Sequence, residues 1–226
     1  MYRSVLNIAG GPISVKGCNV PIGMKLKPIR DARGRPRAFD TEAALDRALL
    51  VFWRRGYEGA SMPALTRAMG INRPSLYAAF GNKQELFRKA VERYDQGPAQ
   101  YTHRALEKPT ARAVVEALLQ GSVTLLTKPQ HPRGCLMVQG ALACGETSER
   151  VRQELSSRRA AGVAAIRRRF QRAIDEGDLP PRADAAGLAR FVATVMHGLA
   201  VQAASGASRR ELLRVKETFL RMWPPI

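Results

Sequence analysis

The 226-residue sequence is short of cysteine, of histidine and of acidic side chains. Its three cysteines, Cys18, Cys135 and Cys144, make neither a disulfide framework nor a CxxC metal pattern, and that count fits a reducing cytosol. Cys135 and Cys144 stand nine apart on one expected helix, so about 2.5 turns set them on roughly opposite faces. The three histidines, His103, His131 and His197, are dispersed without metal-ligand spacing, and neither a metal nor a cofactor is expected. The longest uncharged apolar stretch, Phe191 to Ser208, holds His197, Gln202 and several serines and glycines. It is too polar for a membrane span and reads as a buried helix or a helix interface. At the N-terminus Gly10, Gly11, Pro12 and Lys16 interrupt any signal-peptide pattern. No segment alternates with period two, and no fixed repeat is present. A Gly-rich phosphate loop, a G-x-S-x-G elbow and a local Cys–His pairing are all missing, which leaves an enzyme without visible machinery.

What is abundant is positive charge. Against 19 Asp and Glu stand 37 Lys and Arg, a formal net charge of +18, with a pI near 10.9. Residues 1–95 carry 17 basic and 8 acidic side chains, the denser excess. Such a balance favours an anionic partner, nucleic acid or an acidic membrane surface, although solvated arginine faces explain part of it. For the membrane the basic segment lacks an amphipathic apolar face.

Residues 1–37 are rich in Gly, Pro and basic side chains and read as a flexible basic arm. Met24 opens its basic part, and the unpatterned stretch before it makes Met24 a candidate translation start. From Asp40 onward nearly everything reads helical. Asp40 caps a helix with Leu45, Ala48, Leu49, Phe52 and Trp53 on one face, closed by Gly56. Ser61 caps the next, with Pro63 in its first turn, and Gly70 makes a turn. Asn72 caps a short third helix, with Leu76 and Phe80 inward and Gly81 at its end. Asn82 and Glu85 form a capping box for a longer helix carrying Leu86, Phe87, Ala90, Val91 and Tyr94. Beyond Gly97-Pro98, helical segments are expected near 110–127, 134–144, 148–176, 184–204 and 208–222.

Two short capped helices joined at Gly70 and braced by an amphipathic helix make a helix-turn-helix. The tight turn stands the second helix off the first, so that its N-terminus can enter a major groove roughly 12 Å wide. The stretch SMPALTRAMGINRPSLYAAFGNKQELF, residues 61–87, resembles the TetR family of bacterial regulators, above all in Leu76, Tyr77, Phe80 and Lys83. The resemblance is specific over about residues 39–95 and architectural beyond. It implies an all-α protein: a three-helix DNA-binding domain at 38–95 joined to a helical effector-binding and dimerisation domain at 96–226. Ser61 and Met62 then meet the DNA backbone, while Asn72, Arg73, Pro74 and Ser75 present the start of the recognition helix. Arg73 is the best candidate for a bidentate contact to guanine, and Tyr77 with Lys83 matches phosphate clamps. The plain alternatives are a solvated Arg73, Asn72 as a cap only, Tyr77 as packing, and Lys83 as a solvated lysine. Ala78 and Ala79 are small where relatives carry bulky polar residues, leaving at most a methyl contact to thymine. The arm reaches phosphates or the minor groove, or serves as a solubilising tail.

The same resemblance makes the last two helices a homodimer face, with Leu188, Val192, Val195, Leu199, Ala203, Leu212 and Phe219. Two-fold symmetry then calls for a palindromic double-stranded operator. A pocket walled by Tyr101, Cys135, Met137, Phe170, Phe191, Met196 and His197 suits a small-molecule effector with an apolar body; the same residues serve equally as plain core. Cys135 reads as a small core residue or, with Arg133 nearby, a thiol sensor. The leading expectation is a ligand-released repressor working at the nucleoid in the cytoplasm. A DNA binder without a ligand is the second.

Overall fold

The computed structural model describes residues 39–142 and 148–223, with side chains for all of these except 141 and 142. The arm at 1–37, Met24, Cys18 and Cys144 lie outside the described residues. Among the described residues every regular element is helical: α1 (Thr41–Gly59), α2 (Met62–Met69), α3 (Arg73–Phe80), α4 (Lys83–Gln96), α5 (Tyr101–Leu106), α6 (Ala111–Leu126), α7 (Leu136–Leu142), α8 (Glu149–Asp175), α9 (Ala185–Ala204) and α10 (Arg209–Met222). None of them is long and apolar enough to cross a membrane.

The helix starts follow from side chains that satisfy free N–H groups. Asp40 Oδ1 accepts from the amides of Glu42 and Ala43 at 2.9 and 3.2 Å, and Asn72 Oδ1 accepts from Ser75 at 2.8 Å. At α4 the box is reciprocal: Asn82 Oδ1 accepts from Glu85 at 3.0 Å and Glu85 Oε2 from Asn82 at 3.1 Å. Ser208 and Glu211 repeat that arrangement at α10.

Two buried clusters hold the molecule together. The first gathers Ala48, Phe52, Leu65, Leu76, Phe80, Leu86 and Phe87 from α1–α4, and reaches on to Leu125, Leu136, Val151 and Leu155. The Phe52 and Phe87 rings meet edge to face at 5.0 Å. The second centres on α6 and joins Leu118, Leu119, Phe170, Val192, Leu199, Phe219 and Trp223. Each such side chain stabilises by roughly 1.5–3 kcal/mol when fully buried.

Three features differ from the sequence expectations. Gly56 does not end α1: at φ 68° and ψ −179° it breaks the helix locally, and the chain resumes helical form to Gly59. The short α5 was not expected, because six residues carry no period and Gln100 gives no side-chain cap. Tertiary packing makes it instead: the Tyr101 ring lies so close to Gly121 of α6 that a Cβ there would stand 2.1 Å from the ring. The third concerns the expected dimer residues. Val192, Leu199, Ala203, Leu212 and Phe219 are buried in the chain's own second cluster, and Leu188 and Val195 pack on its edge. The apolar stripe of α9 is wide enough to read as an interface, but α6 and α8 already cover it. Phe191 and Val201 of α9, with Val215 and Met222 of α10, stay 43–63% exposed and supply the outward apolar face.

Candidate nucleic-acid interface and ligand cavity

Helices α2 and α3 meet at Gly70, whose φ of 70° and ψ of 29° give the left-handed turn that favours glycine. Three bonds hold the turn: Gly70 N–H donates to Arg67 O at 3.3 Å, Ile71 N–H to Thr66 O at 3.2 Å, and Arg47 of α1 from Nη1 to Met69 O at 3.3 Å. The last fills a carbonyl that the end of α2 leaves open. Leu65 and Met69 below, with Leu76 and Phe80, are buried, so the pair of helices is pinned from one side only.

The other side carries the side chains expected to meet DNA. Ser61, Asn72, Arg73, Pro74 and Tyr77 are exposed, Tyr77 at 48% although it is a large apolar ring, while Met62, Ser75 and Lys83 are half-buried. Arg73 is exposed, and among the described residues no hydrogen bond or ion pair engages its guanidinium. Ser61 Oγ and Asn72 Oδ1 accept helix amides, which leaves the hydroxyl proton and the NH2 group as outward donors. Lys83 Nζ stands 4.5 Å from the centre of the Tyr57 ring. Partial burial holds its ammonium below the usual lysine range, against an opposing pull from Glu58.

Helix α4 joins this surface to the rest of the chain. Its 14 residues span about 21 Å, from the capping box beside α3 to Tyr94 and Asp95. Arg93 grips α1 in a fork, Nε to Asp46 Oδ1 at 2.7 Å and Nη2 to Asp46 Oδ2 at 3.0 Å, with Glu42 adding a third bond at 2.9 Å. Tyr94 is fully buried; its ring stands edge-on to Trp53 at 4.7 Å and its hydroxyl donates to Cys135 Sγ at 3.3 Å. Burial, reinforced by Cys135, pushes the Tyr94 hydroxyl well above the usual phenol range. Trp53 Nε1 donates to Gly134 O at 2.8 Å, a buried bond between α1 and the segment that opens α7.

Beyond Tyr94 lies a cavity of about 500 Å³ between α4, α5, α6, α7, α8 and α9. Tyr101, Cys135, Met137, Met196 and His197 line it, as the sequence proposed, together with Leu118, Ile166 and Arg159. Phe170 and Phe191 do not. Phe170 is fully buried against Trp223 at 5.5 Å, and Phe191 lies on the outer face, packed on Phe219 at 4.8 Å. Most polar groups in the wall are already matched. Tyr101 Oη and Ser122 Oγ share a hydrogen bond of 2.9 Å, and burial pushes the Tyr101 hydroxyl up. Arg158 meets Glu154 at 3.1 Å and Glu92 at 3.7 Å, and His103 meets Asp95 at 3.5 Å. Arg159 donates from Nη1 to Met137 O at 2.7 Å. Burial holds His197 below the ordinary histidine range, and Arg159 and Arg190 push the same way. Among the described residues no cluster of His, Cys, Asp and Glu could hold a metal ion.

Arg159 is the charged wall residue without an ion pair among the described residues on the buried stripe of α8, and sequence reasoning did not single it out. Its signal was present: it falls four after buried Leu155 and seven before buried Ile166, a charged residue on the apolar stripe of α8.

The comparisons agree with this architecture. Residues 44–90 match the family described as bacterial regulatory proteins, tetR family, and residues 109–219 match the tetracyclin repressor-like C-terminal domain. The HTH-type transcriptional repressor ComR of Escherichia coli (strain K12) is 32% identical over 200 residues, covering 88% of this chain and 95% of ComR. A solved structure of a cysteine mutant of the TetR family transcriptional regulator CifR, complexed with 26-base-pair double-strand operator DNA, is 49% identical, covers 84% of this chain and all of its own, and superposes with a TM-score of 0.81. A TetR transcriptional regulator from Chloroflexus aurantiacus shares the fold at 20% identity and a TM-score of 0.71, over 80% of this chain and 91% of its own. With the helix-turn-helix and the helical body behind it each matched to a family model, and with ComR similar over nearly the whole of both chains, the chain belongs to the tetR family of bacterial regulatory proteins.

Proposed function

We propose that the chain is a sequence-specific transcriptional repressor that binds a palindromic operator as a homodimer and is released by a small molecule in the cavity. The observation that carries this reading is the exposed start of α3, where Arg73 has no hydrogen bond or ion pair among the described residues and stands on a helix end held by an Asn72 cap. Arg73 reads a base edge, Asn72, Pro74 and Ser75 shape the approach, and Ser61, Met62, Tyr77 and Lys83 contact the phosphate backbone. A helix N-terminus suits phosphate through its free amides and dipole. ComR is a repressor and the CifR mutant was solved on operator DNA, and both support the reading.

The division of labour follows: a basic arm at 1–37, a DNA-binding part at 38–95 and an effector and dimerisation part at 96–226. The dimer face is the outer stripe of α9 and α10, with Phe191, Val201, Val215 and Met222. A stripe with four large exposed apolar side chains is covered when two copies form a four-helix bundle. The protein works as a DNA-binding regulator in the cytoplasm, at the nucleoid, and not as an enzyme.

Selection of bound DNA from a random pool by the full chain tests the reading. A two-fold symmetric sequence bound with steep salt dependence is the expected result. Recovery of DNA without sequence or symmetry overturns it.

A further inference from the structure

We propose that the cavity takes an amphiphilic anion, an apolar body ending in one carboxylate, and that Arg159 receives the carboxylate. The inference rests on the reading of this cavity as an effector site. Its first support is a count of partners. Most of the wall's other hydrogen-bonding groups close on one another: Tyr101 with Ser122, Tyr94 with Cys135, His103 with Asp95, Arg158 with Glu154 and Glu92, while Arg168 at the rim is exposed to solvent. Arg159 is different. It is half-buried in the wall, it spends Nη1 on the carbonyl of Met137, and among the described residues no carboxylate pairs with it. A guanidinium has five donors and a fixed charge, and a partly desolvated one is stabilised by an anion.

The second support is the local field. Burial holds His197 below the ordinary histidine range, and Arg159 on α8 and Arg190 on α9 push the same way from two elements. Arg168, on the same rim, has no ion pair among the described residues. A cation entering here meets repulsion, and a neutral ligand leaves the guanidinium unmatched. An anion beside Arg159 faces donors instead, where Met137 of α7, Arg159 of α8 and His197 of α9 meet.

The third is the remaining lining. Leu118, Leu126, Val138, Ile166, Met196 and Ala200 give the cavity an apolar body, and about 500 Å³ is ample for a medium-length chain or a small ring system. Burial of that body supplies affinity, and the single charge match supplies selectivity.

Three probes of equal chain length test this on the DNA-free full-length protein: decanoate, decanol and decyltrimethylammonium, below their micelle concentrations, with acetate as a fourth. Calorimetric titration should rank decanoate about tenfold or more above decanol, with the cation weakest and acetate without measurable binding. Arg159→Gln should lower decanoate to the level of decanol and leave decanol unchanged. Arg167→Gln, an exposed α8 position outside the cavity, should change neither. Equal binding of decanoate and decanol, preference for the cation, or acetate binding as well as decanoate overturns the proposal. So does an Arg159→Gln protein that keeps the preference, or an Arg167→Gln protein that loses it. Should Arg159→Gln not fold, the ranking on the unaltered protein still decides. The repressor reading fails separately: a protein that selects no operator yet prefers decanoate loses that reading and keeps this one.

Discussion

The indole N–H of Trp53 and the carbonyl of Gly134, 81 residues apart in sequence, share a buried hydrogen bond of 2.8 Å. Trp53 sits in α1 of the DNA-reading part, and Gly134 leads into α7, one wall of the cavity. Replacing Trp53 with Phe keeps most of the ring and removes the donor, so the buried carbonyl is left unmatched. A loss of about 1–3 kcal/mol is expected. Denaturant titration should show it as a lower midpoint at unchanged slope.

At the operator, Arg73→Ala should relax preference at one position of each half-site, at a cost of about 1–3 kcal/mol for the preferred base. Tyr77→Phe should instead weaken all sequences alike. Binding of a small library of operator variants separates the two, and a uniform loss for Arg73→Ala overturns its assignment to a base edge.

Lys83 gives a salt-dependent prediction. With its ammonium over the Tyr57 ring, the side chain is held at the start of α4 rather than swinging free. As a phosphate contact it should contribute about one unit to the slope of log affinity against log salt. Lys83→Met should reduce the slope by that amount while thermal stability moves little.

The histidines set an acid limit. Burial lowers His197, with Arg159 and Arg190 assisting, and lowers His131, with Lys128 assisting. Each is therefore neutral in the folded protein at pH values where the unfolded chain already binds a proton. Stability is complete above the ordinary histidine value of 6.5 and falls as pH drops from there towards the lowered folded values. One histidine contributes at most about 1.4 kcal/mol per pH unit in that window. Thermal melts from pH 7.5 to 5 should show the decline, and His197→Gln should flatten it.

The dimer face can be tested with one charge. Val201 is 43% exposed on α9 and is absent from the buried clusters. Val201→Asp should leave the monomer fold intact and shift light-scattering mass towards a single chain. A mass unchanged at low micromolar concentration places the interface elsewhere.

Local signals carried most of what the sequence disclosed. Asp40, Ser61, Asn72 and Asn82 announced four helix starts, and Gly70 the turn, because capping and positive φ depend on a few adjacent residues. What escaped depends on residues far apart. The six residues of α5 are helical because Tyr101 fits against Gly121. Phe170 and Phe191 looked alike as apolar wall, yet one faces Trp223 in the core and the other faces outward beside Phe219. Which side of α9 is inside was likewise settled by α6 and α8, since Val192 and Val201 are equally apolar on paper.

The fork between Arg93 and Asp46 ties α1 to α4, and none of the exposed side chains of α3 lines the cavity. Arg73, Pro74, Tyr77 and Ala78 therefore lie outside the cavity wall, and Arg159 and Met196 of that wall lie outside the exposed start of α3. The two chemistries are thus separately inheritable: a descendant of this chain can acquire a new address on DNA, or a new chemical stimulus, one at a time.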